Sequence, residues 1–166
     1  PILERPMGRM RLETVAEGMG KFAVHYQQTY HGVDVIGGGA QATFMQSGRV
    51  FAMGVDLYPI DDLEVAPLLS RSRAEAIAIE ALSHAARSIS REPDEDTKLF
   101  VLPYPTAVDR FDPRLVWRVV VVTDGRTGVF HTHVDAMTGE LLWRFNDVHY
   151  ADFFGTLDAD IQHSTY

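Results

Sequence analysis

Two histidines carry the clearest spacing for chemistry in this sequence. His131 and His133 are two positions apart in a stretch that predicts a strand, so both imidazoles leave the same face. Two imidazoles make half of a tetrahedral metal site, and His25, His31 or His149 would have to supply a third ligand. The alternative is a solvated strand face, with Phe130, Thr132 and Val134 turned the other way. We favour that alternative and expect no bound metal.

Other residue patterns of catalytic sites are weaker. Gly37-Gly38-Gly39 lies between two predicted strands, whereas a phosphate-binding glycine loop leads into a helix, so a bulge or bend is expected there. The sequence has no G-x-S-x-G and no H-E-x-x-H motif. Its neighbouring carboxylates stand in loop-like segments, at Asp61-Asp62, Asp94 to Asp96, and Asp158 with Asp160. We expect a chain that is not an enzyme and that uses no cofactor.

Composition narrows the function classes further. The chain has 166 residues, 46% of them hydrophobic, and 15 Lys+Arg against 23 Asp+Glu leave a formal charge of -8. This apolar content predicts a folded protein, and no apolar run reaches the ~20 residues of a membrane span. The negative charge argues against nucleic acid as a partner, since that binding requires clustered Lys and Arg. With no cysteine, disulfides and thiol catalysis are excluded.

Hydrophobic periodicity predicts two blocks that would position these residues. The first contains only strands, at 8–15, 21–30, 39–46 and 49–58, with a hairpin turn at Ser47-Gly48. The second begins with a helix, for which Ser72 and Glu75 have capping-box spacing, and an apolar stripe runs from Ala74 to Ile89. Four strands follow the helix, at 99–102, 115–123, 129–134 and 140–145.

The first block resembles the fungalysin/thermolysin propeptide domain. The resemblance lies in the stretch from His25 to Gly38, which reads HYQQTYHGVDVIGG, and in the hairpin that follows it. Its motif residues here are Gln27, Gln28, Gly32 and Gly37. The two glycines can let an extended strand turn and bulge without a Cβ clash.

The second block resembles a PepSY domain. A helix is followed by an L-x-W-x-V strand around Trp117, and then by a D-A-x-T-G-E turn that contains Asp135, Thr138 and Gly139. Asp135 can accept hydrogen bonds from the backbone ahead of it, and Gly139 can supply a left-handed residue. Trp117 and Trp143 are expected to anchor the core.

The tandem resemblance implies a fold, a function and a partner. The implied fold is α+β, with two small antiparallel-sheet subdomains (cystatin-like), the second with one main helix packed on its sheet. The implied boundaries are 1–60 for the propeptide-like domain, 61–69 for a linker, 70–147 for the PepSY-like domain and 148–166 for a C-terminal tail. The implied function is that of a prosegment of a secreted thermolysin-like zinc metallopeptidase. Such a prosegment acts as intramolecular chaperone and inhibitor of its catalytic domain until it is cleaved.

Several alternatives stay open at this point. The tail carries the apolar residues Phe153, Phe154, Leu157 and Ile161, and it could lead into the protease cleft or form the first strand of a following domain. PepSY domains also occur without a peptidase, so a stand-alone or differently attached secreted binding module is the second hypothesis. A metal-binding protein that uses His131 and His133 is the third. The chain begins at Pro1, and we expect a signal peptide to have been removed upstream.

Overall fold

The computed structural model describes residues 8–82, 89–90, 97–108, 110–123 and 128–147. Within these ranges the chain forms nine strands and one helix. No helix in this part of the chain has the length and apolar content of a membrane-spanning segment. The elements are β1 Arg9–Gly18, β2 Lys21–Tyr30, β3 Val33–Met45, β4 Val50–Asp56, α1 Arg71–Glu80, β5 Ile89–Ser90, β6 Lys98–Ala107, β7 Arg110–Thr123, β8 Gly128–Asp135 and β9 Leu141–Asn146.

All nine strands belong to one sheet. Its order is β1-β2-β3-β6-β7-β8-β9, with β4 also on β3 and β5 on β7. Two different strands pair with β3 on the side away from β2. Its second half pairs with β4 in antiparallel register, and its first half pairs with β6 in parallel register through Asp34–Phe100 and Val35–Val101. The mostly-sheet α+β architecture is confirmed, whereas the split into two cystatin-like subdomains is not.

The continuous sheet follows from the length of β3. The sequence predicts this strand from Gly39, but it begins at Val33. The extra residues give β3 a first half that reaches β6. Gly37-Gly38-Gly39 lies inside this long strand, where the register with β2 shifts between Gln27 and Thr29. The predicted bulge is therefore present.

The helix begins two residues earlier than the capping-box spacing indicates. Ser70, not Ser72, is the N-cap, and its hydroxyl accepts from the Arg73 N–H at 3.3 Å. Glu75 pairs instead with Arg71 at 3.2 Å. The physical reason is that the chain is held just before the cap, since the Leu69 N–H donates to the Ala136 carbonyl at 2.8 Å.

The helix also ends earlier than its apolar stripe suggests. Its C-cap is Ala81, after which Leu82 is buried. Ile89, the last residue of the predicted stripe, belongs to β5 and pairs with Thr123 of β7. Ala85 lies outside the described residues. Periodicity cannot show this end, because apolar residues at helical spacing can also continue into a strand.

The helix and the segment after β4 cover one half of one sheet face. Between the helix and the sheet lies a cluster of buried side chains, called the helix cluster: Ala74, Ala78, Leu82, Val119, Val121 and Val134. A second cluster, called the Tyr30 cluster, consists of Tyr30, Val35, Ile60 and Val101, with Leu63 and Val65 packed on it. Part of the segment expected to be a linker thus contributes to packing. The domain boundaries themselves stay a prediction.

We expect Trp117→Phe to lower the free energy of unfolding by about 1–3 kcal/mol. Trp117 packs against the helix cluster, and its indole N–H donates to the Leu69 carbonyl at 2.9 Å. Phenylalanine leaves that carbonyl without its donor. Urea denaturation measures the effect. Trp143 is 45% exposed, so the expectation that it anchors the core is wrong, and Trp143→Phe is the matched control. Equal losses in the two variants would contradict this role of the Trp117–Leu69 hydrogen bond.

Candidate functional site

The two motif glutamines organise the bulge in β3. The Gln27 side-chain amide donates to the Val35 carbonyl at 2.7 Å and to the Gly38 carbonyl at 3.0 Å. Gln28 is fully buried, donates to the Tyr58 carbonyl at 2.6 Å and accepts from the Tyr58 N–H at 3.0 Å. Gln28 therefore ties the segment after β4 to the sheet. Both side chains hold backbone and offer no reactive group to solvent.

The motif glycines occupy positions that require their conformational freedom. Gly32 has φ +85° in the turn between β2 and β3, and Gly37 has φ +71° in the bulge. Gly38, beside it, is constrained by space, since an added Cβ would approach the Gln28 Oε1 atom to 2.5 Å. Real Cβ atoms do not approach other atoms so closely, so a side chain here would displace Gln28 from Tyr58.

The D-A-x-T-G-E motif forms the turn between β8 and β9. One carboxylate oxygen of Asp135 accepts from the Met137 N–H at 2.8 Å and from the Thr138 N–H at 2.9 Å. The Thr138 hydroxyl accepts from the Glu140 N–H at 3.2 Å, and Gly139 has φ +79°. Arg114 lies 3.5 Å from the other Asp135 oxygen. These polar residues are used to build a turn.

His131 and His133 stack on two aromatic rings of β9. The His131 ring lies parallel to Phe145 at 5.0 Å, and the His133 ring lies over Trp143 at 5.0 Å. His131 also lies 3.4 Å from the Asp147 carboxylate. Both rings are on the face of the sheet opposite the helix, because Phe130 and Val134 pack toward the helix cluster. The predicted common face is therefore observed.

No metal cluster forms around this pair within the described ranges. There, no group of three His, Asp or Glu side chains lies close enough together to hold a metal ion. His25 is on β2 and His31 is in the next turn, while β8 is four strands away from β2 in the sheet. His149 and the tail residues Phe153, Phe154, Leu157 and Ile161 lie outside the described residues. Metal binding by His131 and His133 therefore stays an untested alternative.

An open apolar pocket adjoins the histidine–aromatic stack. It has a volume of about 400 Å³ and lies where β3, β6 and the start of β9 approach one another. Trp143 is at its border. The other large apolar side chains around it are Ile36, Tyr58, Leu102, Tyr104 and Leu142.

Among the described residues, most of the exposed large apolar side chains are on the antiparallel meander β1–β4. The register places alternate residues of the four strands on one face, through the pairs Leu12–Tyr26, Phe22–Phe44 and Ala42–Met53. Cross-strand partners share a face, so these side chains form one surface. We call it the apolar meander face; its exposed members are Met10, Leu12, Val15, Phe22, Tyr26, Val50, Met53 and Val55, each 36–75% exposed.

This face continues the helix-covered side of the sheet. Gln28 and Tyr30 extend the Phe22–Tyr26 alternation of β2 into the buried Tyr30 cluster. In the described part of the chain, the helix packs on the helix cluster and the segment after β4 packs on the Tyr30 cluster. Neither element packs on the apolar meander face. The opposite side of the meander is more polar, with a groove lined by Glu13, His25, Gln41 and Asp56 among others. It also carries two exposed apolar side chains near Lys21, Met45 and Phe51. Sequence reasoning recognised the β2 alternation but did not identify an uncovered surface.

We expect Gln28→Leu to lower the free energy of unfolding by about 2–4 kcal/mol, because both backbone polar groups of Tyr58 would lose their partner. The measurement is urea denaturation. The matched control is Gln41→Leu on β3, an exposed position, where a change below about 0.5 kcal/mol is expected. A Gln28→Leu variant as stable as the wild type would show that Tyr58 is held by other contacts.

Burial lowers the pKa of His133 from 6.5 to about 4, and the nearby charge of Arg118 adds to this. Between these two values the unfolded chain binds more protons than the folded chain. We therefore expect this histidine to contribute stability that is fully present above pH 6.5 and is lost as the pH falls toward 4.

His133→Phe should weaken that pH dependence, because it removes the titrating ring and keeps a ring that can stack on Trp143. Urea denaturation between pH 4 and pH 8 gives the difference between variant and wild type. Thr132→Val, on the other side of the same strand, is the control with no titrating group. A His133→Phe variant with the wild-type pH dependence would refute the assignment.

Comparison with known proteins matches both blocks to families. Residues 12–57 match the Fungalysin/Thermolysin Propeptide Motif, and residues 68–142 match the Peptidase propeptide and YPEB domain, called PepSY. Both families are non-catalytic modules. No curated protein matches the chain.

Among solved structures, the chain is similar to the Bacillus megaterium YpeB C-terminal domain. The identity is 10% and the TM-score is 0.48, over 82% of this chain and 56% of that one. The chain thus spans little more than half of that structure. The two family matches confirm the resemblance of both blocks: a fungalysin/thermolysin propeptide motif at residues 12–57 is followed by a PepSY domain at residues 68–142.

Proposed function

We propose that this chain is the prosegment of a secreted, thermolysin-like zinc metallopeptidase. In this role it assists the folding of its own catalytic domain and inhibits that domain until it is cleaved. The observation that carries the proposal is the order of two propeptide-type modules in one chain, joined through β3 and β6 into a single sheet. A joined sheet can present one extended surface to a partner domain, which two independently moving modules cannot do.

The polar residues of the family motifs support a binding role rather than a catalytic one. Gln27, Gln28 and Asp135 form hydrogen bonds with backbone groups of the chain itself. His133 is buried in a ring stack, and its low pKa keeps it neutral near pH 7. On this proposal the metal and the acid–base groups belong to the catalytic domain.

A tethered partner explains how such a surface can act with modest intrinsic affinity. A prosegment joined to its enzyme is present at an effective concentration that reaches the millimolar range for short linkers. Proteases gain from slow unfolding, and the high barrier responsible can also slow folding. A surface that binds the enzyme while it folds lowers that barrier, and cleavage of the tether later removes the concentration advantage.

Two finer points belong to the same proposal. The compartment is extracellular or periplasmic, where secreted peptidases mature. The tail 148–166, with Phe153, Phe154, Leu157 and Ile161, leads toward the junction with the catalytic domain. N-terminal sequencing of the matured protease would locate the cut, and a junction many residues away from this tail would contradict the second point.

We expect the purified 166-residue chain to inhibit the catalytic domain of a thermolysin-like zinc metallopeptidase with a dissociation constant of roughly 1 μM or tighter. We also expect the chain to raise the yield of active enzyme on refolding. Residual peptidase activity, measured as the chain is titrated against the folded domain encoded in the same precursor, tests inhibition. The activity recovered when that domain is refolded with and without the chain, measured after the chain is removed, tests assistance.

The matched control is Val101→Asp, which places a charge in the buried contact beneath the β3–β6 pair. Loss of inhibition in this variant would show that the folded sheet is needed and that the chain is not merely a competing substrate. A wild-type chain that neither inhibits nor assists refolding, or a precursor that encodes no peptidase, would overturn the proposal.

A further inference from the structure

We propose that the apolar meander face is the surface on which the partner domain docks, and that the occupant is a folded, non-identical protein domain with an uncharged apolar patch. The inference rests on the proposed function and assigns its binding surface. It starts from eight exposed apolar side chains that four strands place on one face. Nothing else described in the chain packs over them.

The composition of this face is that of a protein interface core. Two methionines and two aromatic rings, Met10, Met53, Phe22 and Tyr26, stand among aliphatic side chains. Interface cores are enriched in Met and aromatic residues and depleted in charged ones. The register places one charged residue on this face, Glu17 opposite Phe22, near the end of β1. The face has no basic residue that could bind a charged partner such as a nucleic acid.

The size of the face fits a specific contact. Four strands about 4.8 Å apart, each contributing about seven residues, give a footprint of roughly 400 Å². The largest apolar patch on a monomeric protein is roughly 300–600 Å² and is often functional. A standard interface covers roughly 800 Å² on each partner, so the face supplies a large part of one side. Neighbouring strand edges would supply the remainder.

Charge favours a different protein over a second copy. Each copy carries a formal charge of -8, so two whole copies repel each other, although residues 8–58 themselves contain four basic and four acidic side chains. High net charge of one sign opposes self-association. A non-identical domain need not carry that charge, so it can cover the same apolar residues without this repulsion.

A domain joined after this chain can reach the face. The chain continues from residue 148 to residue 166, a length that spans at most roughly 65 Å. Four strand spacings separate β9 from β3 in the sheet, which is roughly 20 Å. Covalent attachment at the β9 side is therefore compatible with docking on the meander.

The two sides of the meander differ in polarity, which marks the apolar meander face as the side for contact with a partner. Gln41 and Asp56, on the other side of β3 and β4, line a polar groove, whereas their neighbours Met53 and Val55 are 75% and 52% exposed. The meander is thus an amphipathic sheet whose apolar side lacks the cover that the helix gives the second half. Leaving that side in water opposes solubility unless a partner covers it.

Two methionines make the matched test. Met53→Glu places a charge within the face, and Met45→Glu places the same charge on the other side of the meander, where Met45 pairs with Lys21 and is 39% exposed. Both variants are made in the full chain and titrated against the catalytic domain used for the wild type. We expect the inhibition constant to rise at least tenfold for Met53→Glu and less than threefold for Met45→Glu.

A second pair of measurements keeps the outcome interpretable. Leu12→Glu, on β1 and 52% exposed, should weaken inhibition as Met53→Glu does, and urea midpoints should match the wild type because all three positions are exposed. Analytical ultracentrifugation should show a monomer. A wild-type dimer that Met53→Glu dissociates would identify a second copy as the occupant and overturn the inference.

Failure of this inference is distinguishable from failure of the proposed function. If the wild-type chain inhibits and both face variants inhibit equally well, docking occurs elsewhere and only the surface assignment is wrong. If the wild-type chain does not inhibit and does not assist refolding, the prosegment function itself is wrong, and the surface assignment is wrong with it.

Discussion

The short parallel contact between β3 and β6 is the constraint on which the rest of the structure depends. Only two register pairs join the strands, Asp34–Phe100 and Val35–Val101. The side chains of Val35 and Val101 are fully buried and pack with Ile60 and Tyr30. Parallel neighbours need a long crossover, and residues 46–97, which include β4 and the helix, provide it here. The pairing places the two propeptide-type modules in one sheet.

This joint also explains why the buried polar residues are where they are. In the bulge of β3, some backbone groups are not hydrogen-bonded to β2. The Gln27 side-chain amide donates to two of these carbonyls, those of Val35 and Gly38. Gln28 holds Tyr58 through both the nitrogen and the oxygen of its side-chain amide, so the chain leaves β4 across the β3–β6 joint. Buried backbone groups that lack partners are costly, which accounts for the need for glutamine at both positions.

The unequal cover of the sheet separates stability from binding. Under the helix, Val119, Val121 and Val134 are buried, and Trp117 anchors the helix start through the Leu69 carbonyl. On the meander, equally apolar strands remain in contact with water. The helix-covered part of the face stabilises the fold, and on our proposal the meander part binds the partner domain. The same hydrophobic effect acts in both, once within the fold and, on that proposal, once against the partner domain.

Local features were well determined by the sequence. The bounds of β2, the Ser47-Gly48 hairpin and the Asp135 turn all follow from alternation and turn chemistry, which act over a few residues. The common face of His131 and His133 follows from the two-residue period of a strand.

Tertiary structure decided the features that depend on distant partners. The helix starts after Ser70 because Leu69 is held by Ala136 and Trp117, and β3 extends back to Val33 because β6 lies beside it. The depth of His133, and with it the low pKa, depends on rings from β9 and on Arg118 of β7. The apolar meander face emerges only when four strands are in register, since no single strand shows which of its apolar side chains the rest of the fold covers.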